Sequence, residues 1–289
     1  MAILTQVYIL YNPVSTGSSY TTAKELFDKL TSIDHLQVEL LKTDYAGHAG
    51  DFAREHATEA ETLLIASSGD GTYHEIVNAA LSNSTLESRA VCGLLPSGNA
   101  NDHYHFVHEG NTVERIRLGD VRLIDALKIS FGPHTYYGHS YAGIGITPQI
   151  GHELNQTKLN RINELWLVIR NLFRIRSVRI IIDGGRRRYD SLVFSTNGRM
   201  SKVLKLSKTA EIDDGLFEIS ALHSTSGPRL LQYLLKASTV GIETAPQAKS
   251  FSFITTHSTR MQIDGEIIRL PAHTEITIAS VQQSLRCIV

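Results

Sequence analysis

The chain is poor in the residues that would commit it to a special environment. Among its 289 residues are only 2 cysteines, Cys92 and Cys287, far apart and without metal-ligand spacing. A disulfide framework and a cysteine zinc site are therefore not in prospect, and both thiols read as buried apolar residues. No apolar run approaches the ~20 residues of a spanning helix. The first residues lack a basic stretch followed by an apolar core, which predicts no secretory signal and a cytoplasmic protein. The formal net charge is −1, so no global field draws the chain to nucleic acid or to an anionic bilayer, and any such attraction must be local. Low-complexity segments and internal repeats are missing. So are G-x-x-x-x-G-K-[ST] and G-x-G-x-x-G, the common phosphate-binding signatures. What remains is 42% apolar and 20% charged, an ordinary globular composition long enough for one large or two ordinary domains.

The first part alternates β-rich and helical patterns. "QVYILYN", "LQVELLKT", "TLLIASS" and "AVCGLLP" read as strands. Between them "SYTTAKELFDKLTSI", "AGHAGDFAREHATEA" and "YHEIVNAALS" carry apolar residues at helical spacing. This order predicts an α/β domain over residues 1–121, with a mostly parallel sheet covered by helices. Ligands in such folds lie beyond the carboxyl ends of the strands. Asn12 to Gly17, Thr43, Gly69 to Thr72 and Pro96 to Asp102 all fall on that edge. After residue 121 the texture becomes short strands separated by turn residues, an antiparallel β pattern that predicts a sandwich over residues 122–289. Its last strand is free to return to the first domain. Helices are expected near Glu153–Arg174 and Pro228–Ser238.

Three short stretches carry chemistry, each with a plainer reading beside it. Ser68-Gly69-Asp70-Gly71-Thr72 joins a strand to a helix. Its glycines suit either backbone N–H donation to a phosphate, with Asp70 organising a magnesium ion, or a simple left-handed turn with a helix cap. Asp264-Gly265-Glu266 suits a general base or an Asp-Gly hairpin. Asp213-Asp214-Gly215 suits a cation loop or another hairpin.

Taken together and in this order, the motifs resemble the diacylglycerol kinase catalytic-domain family, which includes bacterial soluble lipid kinases and sphingosine kinases. Asn12-Pro13-Val14-Ser15-Thr16-Gly17 is similar to its N-P-x-S-G. Ser68 to Thr72 is similar to G-G-D-G-T, with Ser68 in place of the first glycine. Pro96 to Asp102 is similar to P-x-G-T-x-N-D, with Asn99 in place of the usual hydroxyl residue. Asp213 to Phe217 and Asp264 to Glu266 complete the series. The resemblance implies transfer of the γ-phosphoryl group of ATP to a lipid hydroxyl, in a cleft between an α/β domain and a β-sandwich, with diacylglycerol the default acceptor. It implies nucleotide contacts from Asn12, Pro13, Ser15, Thr16, Thr43, Ser68, Gly69, Asp70, Gly71, Thr72, Asn99 and Asp102. Glu266 becomes the base with Asp264 close by, and Asp70 organises Mg2+ and phosphate. Asp214, with carbonyls of Glu211 and Leu216, resembles a structural magnesium loop. The implied partners are ATP and a lipid alcohol at the membrane surface, met by peripheral contact. A homodimer is left open. A sphingoid base or another lipid alcohol, a small-molecule kinase of the NAD-kinase type, and an inactive nucleotide- or lipid-binding regulator are the competing readings.

Other features read more plainly. His103, His105 and His108 are taken as solvated or capping histidines. Arg186-Arg187-Arg188, with Arg174, Arg176 and Arg179, is either an exposed hairpin or a seat for anionic headgroups. The stripe Leu165, Trp166, Ile169 and Phe173 is read mainly as core-facing.

Overall fold

A computed structural model describes residues 3–15, 18–98, 101–108, 110–146, 148, 177–197, 199–200, 204–205, 210–223 and 245–288. The chain divides into two compact units, Met1–Asp125 with Gln283–Val289, and Ala126–Gln282. The first alternates β1 (Gln6–Tyr11), α1 (Ser19–Leu30), β2 (Gln37–Lys42), α2 (His48–His56), β3 (Thr62–Ser68), α3 (Asp70–Asn83) and β4 (Val91–Pro96), then adds α4 (Asp102–Val107) and α5 (Thr112–Leu118). The strands are parallel in the order β2-β1-β3-β4. β3 is buried along its whole length and β4 nearly so. That is why both read as continuous apolar runs. β2 lies at the edge and alternates exposed with half-buried positions. Helix α1 turns Ala23, Leu26 and Leu30 into a core shared with Val7, Ile9, Leu63 and Ile65. Helices α4 and α5 are additions to the expected elements. Asn111 starts α5 by accepting from the N–H groups of Val113 and Glu114 at 3.0 and 3.3 Å, and Gly119 ends it at φ 60°.

The second unit is antiparallel β throughout the described residues. It takes the greater part of β5 (Arg122–Phe131), then β6 (His134–Gly138), β7 (Tyr141–Gly145), β8 (Val178–Ile182), β9 (Gly185–Ser195), β10 (Arg199–Met200), β11 (Leu204–Lys205) and β12 (Phe217–His223). β13 (Gln247–Ala248), β14 (Ser250–Thr255), β15 (Thr259–Ile263), β16 (Glu266–Leu270) and β17 (Glu275–Cys287) follow. Strands pair in the order β16-β15-β7-β9-β8-β14-β17, with β12 on β9. Leu127, Ile144, Phe194, Phe217, Phe253 and Met261 lie in its core. The expected boundary at residues 121 and 122 falls at the start of β5, whereas the compact units divide inside that strand. The end of β17 belongs to the first unit, where Cys287 lies parallel beside Cys92. Asp125 Oδ1 accepts from Gln283 N there at 2.7 Å. Both cysteines are free and buried. Burial pushes the Cys287 thiol up to about 12 and Cys92 well up, so neither is a reactive thiolate.

Among the described residues no helix is long and apolar enough to cross a membrane. The expected helices near Glu153–Arg174 and Pro228–Ser238, with Trp166, Arg174 and Arg176, lie outside the described residues.

Gly145 shows how tightly β7 meets β9. Its φ is +92°, and a Cβ there would sit 2.3 Å from the Asp190 carbonyl oxygen. Gly145→Ala combines left-handed strain with overlap on backbone, so it should cost about 2 kcal/mol or more. Thermal unfolding followed by circular dichroism checks this, and an unchanged midpoint contradicts it.

Candidate active site

In the first unit four strands deliver their carboxyl ends to one edge. Tyr11 is in register with Lys42 and with Ser67, and Ser68 with Pro96. The turns leaving those strands are stitched together by serines. Asn12 N donates to Ser19 Oγ at 3.0 Å, and Ser19 Oγ in turn bonds the Ser67 carbonyl. Ser67 Oγ returns a bond to Ser19 O at 2.8 Å and approaches Ser97 Oγ at 3.3 Å. Ser15 Oγ donates to Ser97 O at 2.9 Å, and Ser97 N to Ser68 O at 3.0 Å. The second glycine turn thus lies against the first. A Cβ on Gly98 would fall 2.2 Å from Gly69 Cα and 2.8 Å from Gly69 N, so that position admits glycine alone. Gly69 itself is extended, at φ −88° and ψ −177°. The left-handed turn is thereby set aside, and a Cβ on Gly69 would stand 3.3 Å from Gly98 Cα, a tight fit that favours glycine by close approach.

Gly69 precedes the 14-residue helix α3 and gives it no side-chain cap. Asp70 is half-buried in the first turn. Backbone N–H groups at a helix start, beside two glycines in contact, are the chemistry that fits phosphate oxygens. Other expected residues shape the loops. Asn12 Oδ1 accepts from Val14 N at 3.0 Å, closing an Asx turn ahead of Ser15. Pro13 lies within this turn. Thr43 ties β2 to β1 by donating from N and from Oγ1 to Tyr11 O at 3.0 and 3.4 Å. Ser68 Oγ bonds Gly69 O at 3.0 Å. Gly71 and Thr72 form the first turn of α3. Asp102 opens α4. Thr16 and Asn99 lie outside the described residues.

Two residues escaped the sequence reading of the site. Asn101, at φ 52°, clamps Gly98 by accepting from its N–H and donating to its carbonyl, both at 3.1 Å. Its signal was present in the Asn-Asp pair. Glu75 accepts from Gly47 N at 2.9 Å and Gly50 N at 3.3 Å, so the helix that begins at the glycine turn also caps α2. A third correction concerns the histidines. His105 is exposed, but His103 is buried with its ring 5.0 Å from that of Tyr73, and His108 stacks on Tyr104 at 4.2 Å.

In the second unit Asp264 and Gly265 form the two-residue turn between β15 and β16, at φ 49° and 102°. The hairpin reading of this motif is the one the backbone shows. The two carboxylates separate. Asp264 is 1% exposed. Its Oδ2 accepts from His139 N at 2.7 Å and its Oδ1 from Ser140 N and Tyr141 N at 2.9 and 3.0 Å. Its own N–H donates to Tyr141 O at 3.0 Å, and His139 Nε2 lies 3.5 Å from Oδ2. Glu266, two residues on, is exposed at the head of β16.

Asp214 Oδ1 accepts from Leu216 N at 2.8 Å across Gly215, which has φ +78°. Among the described residues no group of three His, Cys, Asp or Glu side chains could hold a metal ion. A magnesium ion at Glu211 to Leu216 would therefore draw on the remaining Asp214 oxygen, main-chain carbonyls and water, a donor set compatible with that ion. Two residues beyond, Glu218 is buried in β12. Burial, with a smaller contribution from the Asp214 charge, pushes its carboxyl up to about 7, against a bond from Gln247 Nε2.

Residues 6–129 match the diacylglycerol kinase catalytic domain. Through this segment the chain is similar to the diacylglycerol kinase catalytic-domain family. That likeness supports a kinase. The diacylglycerol kinase of Staphylococcus epidermidis RP62A is 26% identical over 289 residues, covering 92% of this chain and 87% of its own. That of Staphylococcus aureus RF122 is 25% identical over 285 residues, with the same coverage of 92% and 87%. A crystal structure of a protein from Bacillus anthracis Sterne superposes on this chain with a TM-score of 0.75 at 21% identity, covering 100% of this chain and 98% of that one. A second, named a diacylglycerol kinase from the same organism, gives 0.72 at 20%, covering 98% and 96%. At such identities the structures establish the fold: a parallel α/β first part and an antiparallel β second part.

Gly98→Ala should push the two glycine turns apart and weaken ATP binding at least about tenfold, in line with lost preorganisation. Gly47→Ala is the matched control. It sits at φ +93° with nothing within 4 Å of its Cβ, so it should cost only stability. Calorimetric titration with ATP separates the two; equal affinities would rule the cradle out.

Glu218 generates a pH prediction. The unfolded chain releases this proton near the ordinary 4.5, and the fold holds it to about 7. Between these values the folded form binds more protons, so its stability falls as pH rises through that window and levels off above it. In chelator-containing buffer Glu218→Gln should flatten the fall in unfolding midpoint between about pH 5 and about pH 8. A wild type that gains stability over the same range would contradict the assignment.

Proposed function

We propose that this protein transfers the γ-phosphoryl group of ATP to the free hydroxyl of diacylglycerol, giving phosphatidic acid and ADP. The contact of Gly69 with Gly98 at the head of α3 is the observation that carries the nucleotide half of this reading. The turns at Asn12 to Thr16, Thr43, Ser68 to Thr72 and Asn99 to Asp102 hold the triphosphate. Asp70 is assigned to organise the magnesium ion, which when bound neutralises charge on the phosphate oxygens. The loop at Glu211, Asp214 and Leu216 is assigned to a structural magnesium ion. Glu266 takes the proton as the acceptor oxygen bonds to the γ-phosphorus and the bond from that phosphorus to the β–γ bridging oxygen breaks. Asp264 fixes the turn that presents Glu266. Its lone pairs already serve three backbone N–H groups, which supports Glu266 over Asp264 as the base. So few groups suffice because phosphoryl transfer relies on positioning and charge neutralisation. The lipid acceptor implies work at a membrane surface from the cytoplasmic side.

The test offers labelled ATP with diacylglycerol, sphingosine, monoacylglycerol or NAD, the lipids in mixed micelles. Labelled phosphatidic acid is expected. Glu266→Gln should lower kcat by about 10²-fold or more with ATP affinity retained, the usual scale for a lost general base. No product from any lipid with ATP binding intact sinks the proposal, and label in NAD alone would favour the small-molecule kinase.

A further inference from the structure

The hairpin β8–β9 carries cations in an unfavourable register. Arg179 lies directly opposite Arg188, and Ile181 opposite Arg186. Directly opposed residues share a face of the sheet, and like charges in that position repel. The inner face is settled by Ile180 and Tyr189, both buried in the core. Arg179, Arg186 and Arg188 therefore share the outer face with Ile181, and all three arginines are exposed. Among the described residues none of the three has a salt-bridge partner.

The same face continues onto β14. Ile254, next to the end of β14, pairs with Ile181 and is 38% exposed, one of the few large apolar side chains left open to solvent. Glu275, opposite Ile254 on β17, is the acidic residue on this row, and the row runs Arg186, Ile181, Ile254, Glu275 across the strands. At the hairpin tip Asp183 and Gly184 take φ 50° and 74°, a tight Asp-Gly turn that keeps the arginines in register. Arg260 and Arg269 form a second like-charged pair, on β15 and β16, but beside buried Gln262 and without an exposed apolar neighbour.

We infer that the outer face of β8, β9 and β14 docks on an anionic phospholipid bilayer. The three guanidiniums would meet phosphate headgroups while Ile254 and Ile181 enter the headgroup boundary. Repulsion between Arg179 and Arg188 is relieved when anionic groups lie between them. Basic side chains around an apolar centre have the composition of a membrane-surface contact. A net charge of −1 for the whole chain makes such attraction local, to this face. The inference adds the docking surface to a lipid-acceptor reading, yet vesicle binding can be measured without turnover.

Flotation with large vesicles tests it, using phosphatidylcholine alone or with about one-third phosphatidylglycerol, at low and high salt. The wild type should float with the anionic vesicles only and release as salt rises. Arg179→Glu with Arg188→Glu should lower partition about tenfold or more. The charge-matched Lys24→Glu with Lys29→Glu on α1 should change it little. Arg179→Gln with Arg188→Gln should weaken binding while leaving the unfolding midpoint unchanged or higher, which a merely structural role would not produce. Ile254→Ser should weaken binding at high salt most. Equal flotation by wild type and the arginine variants, equal binding to neutral vesicles, or arginine-dependent capture of an oligonucleotide without vesicle binding would each overturn the inference. Vesicle binding with no lipid phosphorylation would instead fault the kinase reading and leave the docking face standing.

Discussion

The second unit turns on one buried carboxylate. Removing Asp264 from water is costly unless every oxygen finds donors. Those donors are the successive backbone N–H groups of His139, Ser140 and Tyr141, at the break between β6 and β7. A strand pair that runs on without interruption would have spent these N–H groups on its own ladder. The break frees them, and Asp264 collects them. Gly138 makes room, since a Cβ there would meet Ile263 Cγ2 at 3.0 Å and Asp264 Oδ2 at 3.4 Å. The pairing of β15 with β7 is pinned by the same contact, and with it the position of the turn that leads to Glu266.

The first unit reaches rigidity by a different route. Its strand-end turns are held by short hydroxyl side chains bonding to neighbouring carbonyls and to one another. Serines 15, 19, 67 and 97 form that set. Small hydroxyl residues permit the backbones to approach until Gly98 meets Gly69. A larger side chain at any of these points would separate the turns that the N–H groups must serve together. Glu75 extends the arrangement to α2, so one helix fixes both the glycine turn and the next loop along the edge.

Much of this was legible in the residues. The apolar runs of β3 and β4 announced buried parallel strands, and Asn12, Gly69, Gly98 and Asp264 stood at turns for reasons of backbone chemistry. Helices α4 and α5 were missed because they are too short to show periodicity. The break at His139 and Ser140 was hidden inside "YYGHSYAGIG", which reads as one continuous strand. Most consequential, Asp264 and Glu266 look equivalent around Gly265. Their surroundings diverge through N–H groups more than a hundred residues earlier in the chain, and local sequence holds no trace of that contact.

The geometry also accounts for Ser68, where the family pattern has glycine. Steric demand for glycine falls on residue 98 and, less severely, on residue 69, whose backbones touch. Residue 68 is still the last member of β3, in register with Pro96, and is buried. Its hydroxyl bonds the Gly69 carbonyl, so the polar group is satisfied inside the turn and makes no claim on the N–H groups of α3. A serine is therefore compatible with a phosphate-binding turn at this position, whereas at position 98 even alanine is not. A substitution inside a motif is informative only when the backbone contact it meets is known. Here the contact lies one residue further along the chain.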